Sequence, residues 1–355
     1  MNNLLELPHN ERAQLFQEAA ARSENIKLPI IIEKDFWVCW ILDQIFSNPL
    51  LAQNTTFKGG TSLSKCYNII DRFSEDCDLT LSKQYIGITA DNDPITASTL
   101  SQRNKRLEKL TEAVKTKVTH DVKPLLIELF KKNFSPYFNN TEWRLETDHA
   151  DEQSLIFHYP KSFERNPCEY IQSSIKLEFG ARGDNSPCES KNISPYIQQF
   201  LPQLFTAPQK ILVTSLTANR TFWEKVTLLH AEHHRDLQKP LPHRMFRHYY
   251  DIVMLDKKNI TEDALKDLSL LNDVVRNKII YFPSKWANYE EAKIGSLRIY
   301  PKGKFVKPIR QDYQKMSEMF FGNPPDFENI MSEIERIESV INCKRPSNLS
   351  ITHNF

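Results

Sequence analysis

No stretch of the 355 residues is apolar for long enough to span a bilayer, and Met1-Asn2-Asn3-Leu4 lacks the basic and apolar segments of an export signal. A cytoplasmic location without membrane contact is the expectation. The six cysteines, at 39, 66, 77, 168, 188 and 343, include no Cys-x-x-Cys pair, which argues against a zinc ribbon and against a disulfide framework. Reduced, buried thiols are expected instead. With 46 Lys and Arg against 45 Asp and Glu, the net charge is only +1, so the chain has no global attraction to nucleic acid and any RNA partner must meet a local basic patch. Neither an internal repeat nor a low-complexity segment is present. What remains, at 40% hydrophobic and 26% charged residues, is an ordinary globular chain with room for one large or two ordinary domains.

The informative stretch is Phe57-Lys58-Gly59-Gly60-Thr61-Ser62-Leu63-Ser64-Lys65, followed by Arg72-Phe73-Ser74-Glu75-Asp76-Cys77-Asp78-Leu79. Thr55 to Phe57 is β-prone, and Thr61 and Ser62 open a helical pattern with Leu63, Cys66, Tyr67 and Ile70 on its apolar side. Between them the Gly59-Gly60 pair lets backbone approach a ligand, and the N–H groups of the helix start favour an anion such as phosphate. Asp76 and Asp78 fall in a second β-prone run, and their two-residue step puts both carboxylates on one face. Paired hard oxygen ligands suit Mg²⁺, which leaves its remaining positions to water and substrate phosphate. A nucleoside triphosphate fits both halves.

Farther along, strands are predicted over 141–147, 154–159, 170–179 and 210–217. Lys176 and Glu178 share one face of the third. Should that strand neighbour the aspartates, Glu178 becomes a third metal-side carboxylate or the base that takes the acceptor's proton. Helices are predicted over 10–23 and 29–47, over 102–132 with a kink or break at Pro124, and from Asn219 onward, including 243–256, 261–280, 308–321 and 326–342. Arg247 and Asp251 are one turn apart on one of them. Pro301 to Arg310 carries four positive charges with Pro and Gly that should keep it out of a regular helix, a candidate RNA-backbone contact. Five histidines, 230, 233, 234, 243 and 248, crowd together, but His-Ala-Glu-His-His matches no zinc-hydrolase pattern.

Phe57-Lys58-Gly59-Gly60-Thr61-x-Leu63-Ser64-Lys65 and Arg72-Phe73-Ser74-Glu75-Asp76-x-Asp78-Leu79 resemble the first motif of the AbiEii/AbiGii toxin-type nucleotidyltransferases, which share the fold of the DNA polymerase β superfamily. Ile175 to Asp184 resembles that family's second block, and Thr221-Phe222-Trp223-Glu224-Lys225 with Leu228-Leu229-His230 its third. Arg247-His248-Tyr249-Tyr250-Asp251 resembles the fourth, and Ile32 to Trp37 its N-terminal segment. The resemblance implies an α+β nucleotidyltransferase fold, with N-terminal helices and a helix-flanked mixed sheet in 1–218 and a helical region over 219–355 that completes the cleft.

It further implies that Gly59, Gly60, Thr61 and Ser62 lie under the triphosphate, with Lys58, Lys65, Arg72, Ser74, Lys176 and Arg247 as further nucleotide-binding groups. Asp76, Asp78 and Glu178 would hold Mg²⁺ at a two-ion site, Lys225 would meet the triphosphate, and Asp251 would stand with Arg247 on the far wall or serve the acceptor side. The expected reaction moves a nucleoside monophosphate from an NTP to an acceptor hydroxyl with release of pyrophosphate. Relatives modify the tRNA 3′ end, as toxins of toxin–antitoxin or phage-defence pairs with a cognate antitoxin protein. The alternative is a catalytically idle member of the fold that regulates by binding protein or RNA.

Overall fold

The computed structural model of the chain describes residues 1–139, 141–164 and 171–343. Cys168 and the first residue of the strand predicted over 170–179 lie outside the described residues. The chain divides into two compact units, Met1–Thr221 with Lys315–Pro324, and Phe222–Gln314 with the chain from Pro325 onward. Among the described residues no helix is long and apolar enough to cross a membrane.

The first unit opens with helices α1 (Asn2–Leu5), α2 (His9–Arg22), α3 (Pro29–Ser47) and α4 (Pro49–Asn54). Strand β1 (Thr55–Lys58) runs directly into α5 (Gly59–Lys65), and β2 (Cys77–Leu81) follows. Next come α6 (Leu100–Lys117) and α7 (Lys123–Phe134), then β3 (Arg144–Thr147), β4 (Ser154–His158), β5 (Ile175–Gly180), β6 (Cys188–Ile193), α8 (Tyr196–Phe200) and β7 (Ile211–Leu216). The strands form one seven-stranded sheet in the order β3-β4-β5-β2-β1-β7-β6. It is mixed, because β2 pairs with β5 and β1 with β7 in parallel, while the other neighbours are antiparallel. This is the helix-flanked mixed sheet expected.

One face of that sheet is closed by aromatic packing. Phe57, Leu79, Leu155, Phe157 and Leu177 are fully buried. Trp40 on α3 stacks on Phe134 of α7 at 4.3 Å between ring centroids, and Phe130 and Trp37 lie 5.1 Å and 6.3 Å from Phe157. Strand alternation therefore turns Lys58, Asp78, Lys176 and Glu178 to the opposite face.

One sequence expectation holds and others need correction. Between α6 and α7 the chain breaks just ahead of Pro124. It passes through a π-helical segment, Val118–Val122, and Pro124 sits in the first turn of α7, where its missing N–H costs nothing. Strand β6 was not anticipated, because as an exposed edge strand it carries no apolar alternation. Among the described residues the cysteines are unpaired, but only Cys39 and Cys77 are buried, whereas Cys66 is half-buried and Cys188 and Cys343 are exposed.

The second unit is helical, with α9 (Ala218–His233) entering it, then α10 (Phe246–Lys257), α11 (Ile260–Ala264), α12 (Ser269–Tyr281), α13 (Gly303–Lys315) and α14 (Phe327–Cys343). The single helix predicted over 261–280 is thus two. Phe246, Tyr313 and Phe327 form its aromatic centre, with ring centroids 4.8 to 5.9 Å apart. The stretch from Pro301 to Arg310 is helical from Gly303 with Pro308 inside, contrary to expectation. Phe305 and Ile309, one turn apart, are buried, and burying two large side chains offsets the roughly 3 kcal/mol cost of an internal proline.

Helix α3 also buries charge. Glu33 is 1% exposed and accepts the Ser162 N–H at 2.6 Å. Burial pushes its carboxyl up to about 7, against the Ser162 bonds and the nearby Arg12 and Lys161 charges. Between the ordinary carboxyl value and 7 the folded chain holds a proton that the unfolded chain has lost, so stability must fall as pH rises through that window. Glu33→Gln keeps the acceptor oxygen without the titration. It should melt with wild type at pH 5 and gain up to about 3 kcal/mol at pH 8, read from thermal or denaturant unfolding at both pH values.

Candidate active site

The parallel register of β2 and β5 places Asp78 beside Glu178, and the antiparallel register of β1 and β2 places Lys58 beside Asp78. Side chains in register share a face, so Lys58, Asp78 and Glu178 form one row across three central strands. Asp76 stands two residues before Asp78, just ahead of β2, with its carbonyl held by Thr61 Oγ1. The sheet thus supplies the condition that spacing alone left open for Glu178.

Where β1 passes into α5, the two glycines are required by space. Gly59 has a φ of +81°, and a Cβ there would stand 1.9 Å from Asp78 Oδ2. A Cβ on Gly60 would stand 2.7 Å from Ser74 Oγ and 2.9 Å from Arg72 Nη2. The helix accordingly starts at Gly59 rather than Thr61, with one glycine against the aspartate and the next against Arg72 and Ser74. Thr61 Oγ1 donates to the Asp76 carbonyl at 2.5 Å and lies 3.0 Å from Ser74 Oγ, while Ser62 Oγ donates to the Gly59 carbonyl at 2.9 Å. Gly59, Gly60, Thr61, Ser62, Arg72, Ser74, Asp76 and Asp78 are therefore brought together.

Arg72 to Asp76 has no regular helix or ladder of its own, and a part of the chain that sequence left without a role fixes its start. Phe73 N–H donates to Met319 O at 2.7 Å, Phe321 N–H to Asp71 O at 2.9 Å, and Arg72 forms an antiparallel bridge with Phe320. Nothing in the pattern of 315–324 signals this, because the contact is made by backbone.

Other predicted residues are placed differently. Lys176 lies 3.2 Å from both Asp148 Oδ2 and Glu178 Oε1. Burial opposes its charge, yet those two carboxylates raise its pKa above the usual lysine value. The ammonium of Lys65 is buried 2.6 Å from Asp35 Oδ1 and 3.7 Å over the Tyr196 ring, on the α3 side of α5. Between the aspartates, Cys77 is held as a thiol well above its usual pKa, first by burial and then by the charges of Asp76 and Asp78.

In the second unit, Lys225 Nζ lies 2.8 Å from Asp251 Oδ2, and the aspartate is fully buried. The ion pair therefore runs between α9 and α10. Arg247 Nε is buried without a hydrogen-bond partner among the described residues. Two of the five histidines have structural tasks: His230 Nδ1 accepts the Arg298 N–H at 3.1 Å and its Nε2 lies 3.0 Å from Asn288 O, while His233 Nδ1 lies 2.6 Å from Tyr300 O. Burial, then the neighbouring His230 and His233, lower His234 to about 4.

The fit of a divalent metal can be judged from the donors. Among the described residues no three His, Cys, Asp or Glu side chains converge as a ready-made cage. Asp78 and Glu178 are oxygen donors in register on neighbouring strands, Asp76 is a third two residues ahead of Asp78, and the first-turn backbone lies against Asp78 closely enough to exclude a methyl group. Mg²⁺ favours such sites, in which one or two carboxylates share the ion with substrate phosphate. The residues fit.

No curated protein matches the chain by sequence. Among solved structures it is similar to MenT4, a nucleotidyltransferase toxin from Mycobacterium tuberculosis H37Rv, with 13% identity, 93% of this chain and 98% of that one covered, and a TM-score of 0.39. The family described as nucleotidyl transferase AbiEii toxin, type IV TA system, matches residues 40–333. With most of its length matched, the chain belongs to the AbiEii nucleotidyltransferase toxins of type IV toxin–antitoxin systems, enzymes that take an NTP as substrate and whose systems include an antitoxin.

Proposed function

We propose that this enzyme transfers a nucleoside monophosphate from an NTP to a hydroxyl at the 3′ end of tRNA, with Mg²⁺, as a toxin in phage defence. The observation that carries the reading is the contact of the Gly59 backbone with the Asp78 carboxylate, in a row shared with Glu178. A triphosphate lying on Gly59 to Ser62 would have Arg72 and Ser74 at Gly60 and Asp78 at Gly59. Asp76, Asp78 and Glu178 are the residues that would hold Mg²⁺, as one ion or two, and bound there it would act as a Lewis acid on the phosphates. Glu178, with 42% of its side chain exposed, is reachable by an acceptor hydroxyl and would receive its proton where it is not itself a metal ligand.

For Lys225, Arg247 and Asp251 the support is the motif and the chemistry of their own unit. Asp251 holds the lysine ammonium, and Arg247 has a buried nitrogen without an acceptor, which a phosphate oxygen would supply. Incubating the protein with each labelled NTP, total RNA and total protein, with and without chelator, tests the whole reading. Label in tRNA that disappears on chelation is the expected result, and label in protein alone would replace the acceptor.

The basic segment now stands on a helix. Lys304 and Lys307 are exposed on α13, Lys302 is half-buried just before it, and Arg310 is already committed to Glu328 at 2.5 Å and to the Phe327 ring. Replacing Lys302, Lys304 and Lys307 together by Gln should therefore lower the slope of log K for RNA against log salt by about 2, while NTP affinity stays unchanged. An unchanged slope in a filter-binding or fluorescence titration would remove α13 from RNA binding.

A further inference from the structure

Helix α3 carries three consecutive charges, Glu33, Lys34 and Asp35, none more than 2% exposed. Consecutive helical residues point about 100° apart, so the three leave the helix in different directions. Glu33 meets Ser162. Lys34 Nζ lies 2.6 Å from Glu75 Oε2 and donates to Gln172 O at 2.7 Å. Asp35 takes the Lys65 ammonium on one oxygen and the Tyr196 N–H on the other, each at 2.6 Å. The Tyr196 hydroxyl, in turn, lies 2.7 Å from Ser64 Oγ.

Two of these contacts reach the candidate active site from behind. Glu75 is the residue before Asp76, and Lys65 closes the helix that Gly59 and Gly60 open. We propose that Lys34 is a positioning residue for nucleotidyl transfer, fixing Asp76 through Glu75. The proposal rests on the reading of Gly59 to Asp78 as the transfer site.

Stability does not account for the charges. Taking an ion pair out of water is costly, and well-packed apolar replacements of similar volume are often as stable or more so. Helix α3 already has Ile32, Phe36, Trp37, Trp40 and Ile41 fully or almost fully buried. What an ion pair adds is a fixed distance and direction, which the irregular Arg72 to Asp76 segment lacks by itself. That segment is held by backbone bonds to Met319 and Phe321 at its start, by Lys34 at Glu75, and by Thr61 at the Asp76 carbonyl. Catalytic groups tolerate displacements of only about 0.5 Å, and an error of about 1 Å can cost around 10²-fold in rate. Fixed points on both sides of the glycine turn are what such a site needs.

The test compares Lys34→Met/Glu75→Leu, Glu75→Gln alone and Asp78→Asn with wild type in the full chain, measuring kcat, KM for NTP and melting temperature. The apolar pair should melt within a few degrees of wild type and keep KM within about threefold, with kcat down about 10²-fold. Glu75→Gln keeps an oxygen for Lys34 and should recover at least about tenfold of that loss. Wild-type kcat in a folded apolar pair overturns the proposal, and so does a loss that vanishes once rates are corrected for the folded fraction. A Glu75→Gln variant as slow as the apolar pair overturns it as well, since the charge rather than the fixed distance would then matter. If Asp78→Asn transfers as fast as wild type, the transfer-site reading itself falls, an outcome separate from the other three.

Discussion

Asp78→Asn is expected to fold like wild type and to transfer nucleotide about 10³-fold more slowly. The amide fills the same volume beside Gly59, so the first turn of α5 has no reason to move. What changes is charge. An amide oxygen is a poor ligand for Mg²⁺, and one negative charge is removed from a face that also carries Glu178. The cross-strand neighbours Glu178 and Lys58 act on Asp78 with opposite signs, each by a few tenths of a kcal/mol to about 1 kcal/mol, so the variant should melt close to the wild-type temperature. Loss of transfer with preserved stability separates a group kept for chemistry from one kept for folding. Thermal melting and a labelled-NTP assay on the same preparation check both halves, and transfer near the wild-type rate would remove Asp78 from the site.

How much of this was legible in the sequence depended on whether the signal was local. The strand, glycine turn, helix and aspartate strand from Thr55 to Leu81 were readable because period-two and helical apolar patterns and a glycine pair are properties of neighbouring residues. Helix α3 was readable to its ends, since Pro29 marks the start and apolar residues recur on one broad face from Ile32 to Phe46. The partners of its charges were not. In sequence Glu33-Lys34-Asp35 looks like the polar interruptions of any core helix, and only the folded chain shows that Ser162, Glu75 and Lys65 meet them.

The same limit explains the placement of Lys65 and Lys176. A lysine in a motif carries no mark of direction, and Lys65 turns to Asp35 while Lys176 turns to Asp148 and Glu178. Edge strand β6 and the start of helix α13 were missed for opposite reasons: β6 has no buried face to impose alternation, and α13 begins ahead of Pro308 on a buried stripe that the proline hides. The neighbour relation of Asp78 and Glu178 is a matter of strand order, which no spacing encodes.

Gly59→Ala should be the most damaging single methyl group in the chain. Two penalties coincide there. A φ of +81° places an alanine in the left-handed region, at a cost of roughly 1–2 kcal/mol. Its Cβ would also fall 1.9 Å from Asp78 Oδ2 and 2.8 Å from Cγ, so either the aspartate side chain or the turn must shift. Both belong to the proposed transfer site, and a displacement of about 1 Å corresponds to about 10²-fold in rate. Gly87 provides the control, because its φ of +76° imposes similar backbone strain while nothing lies within 4 Å of the Cβ position. Gly87→Ala should lose comparable stability from strain and keep transfer within about threefold, whereas Gly59→Ala should lose at least about 10²-fold in kcat with a melting loss no smaller than that of Gly87→Ala. Measured side by side, equal activity in the two variants would mean that the contact between Gly59 and Asp78 does not set the geometry of transfer.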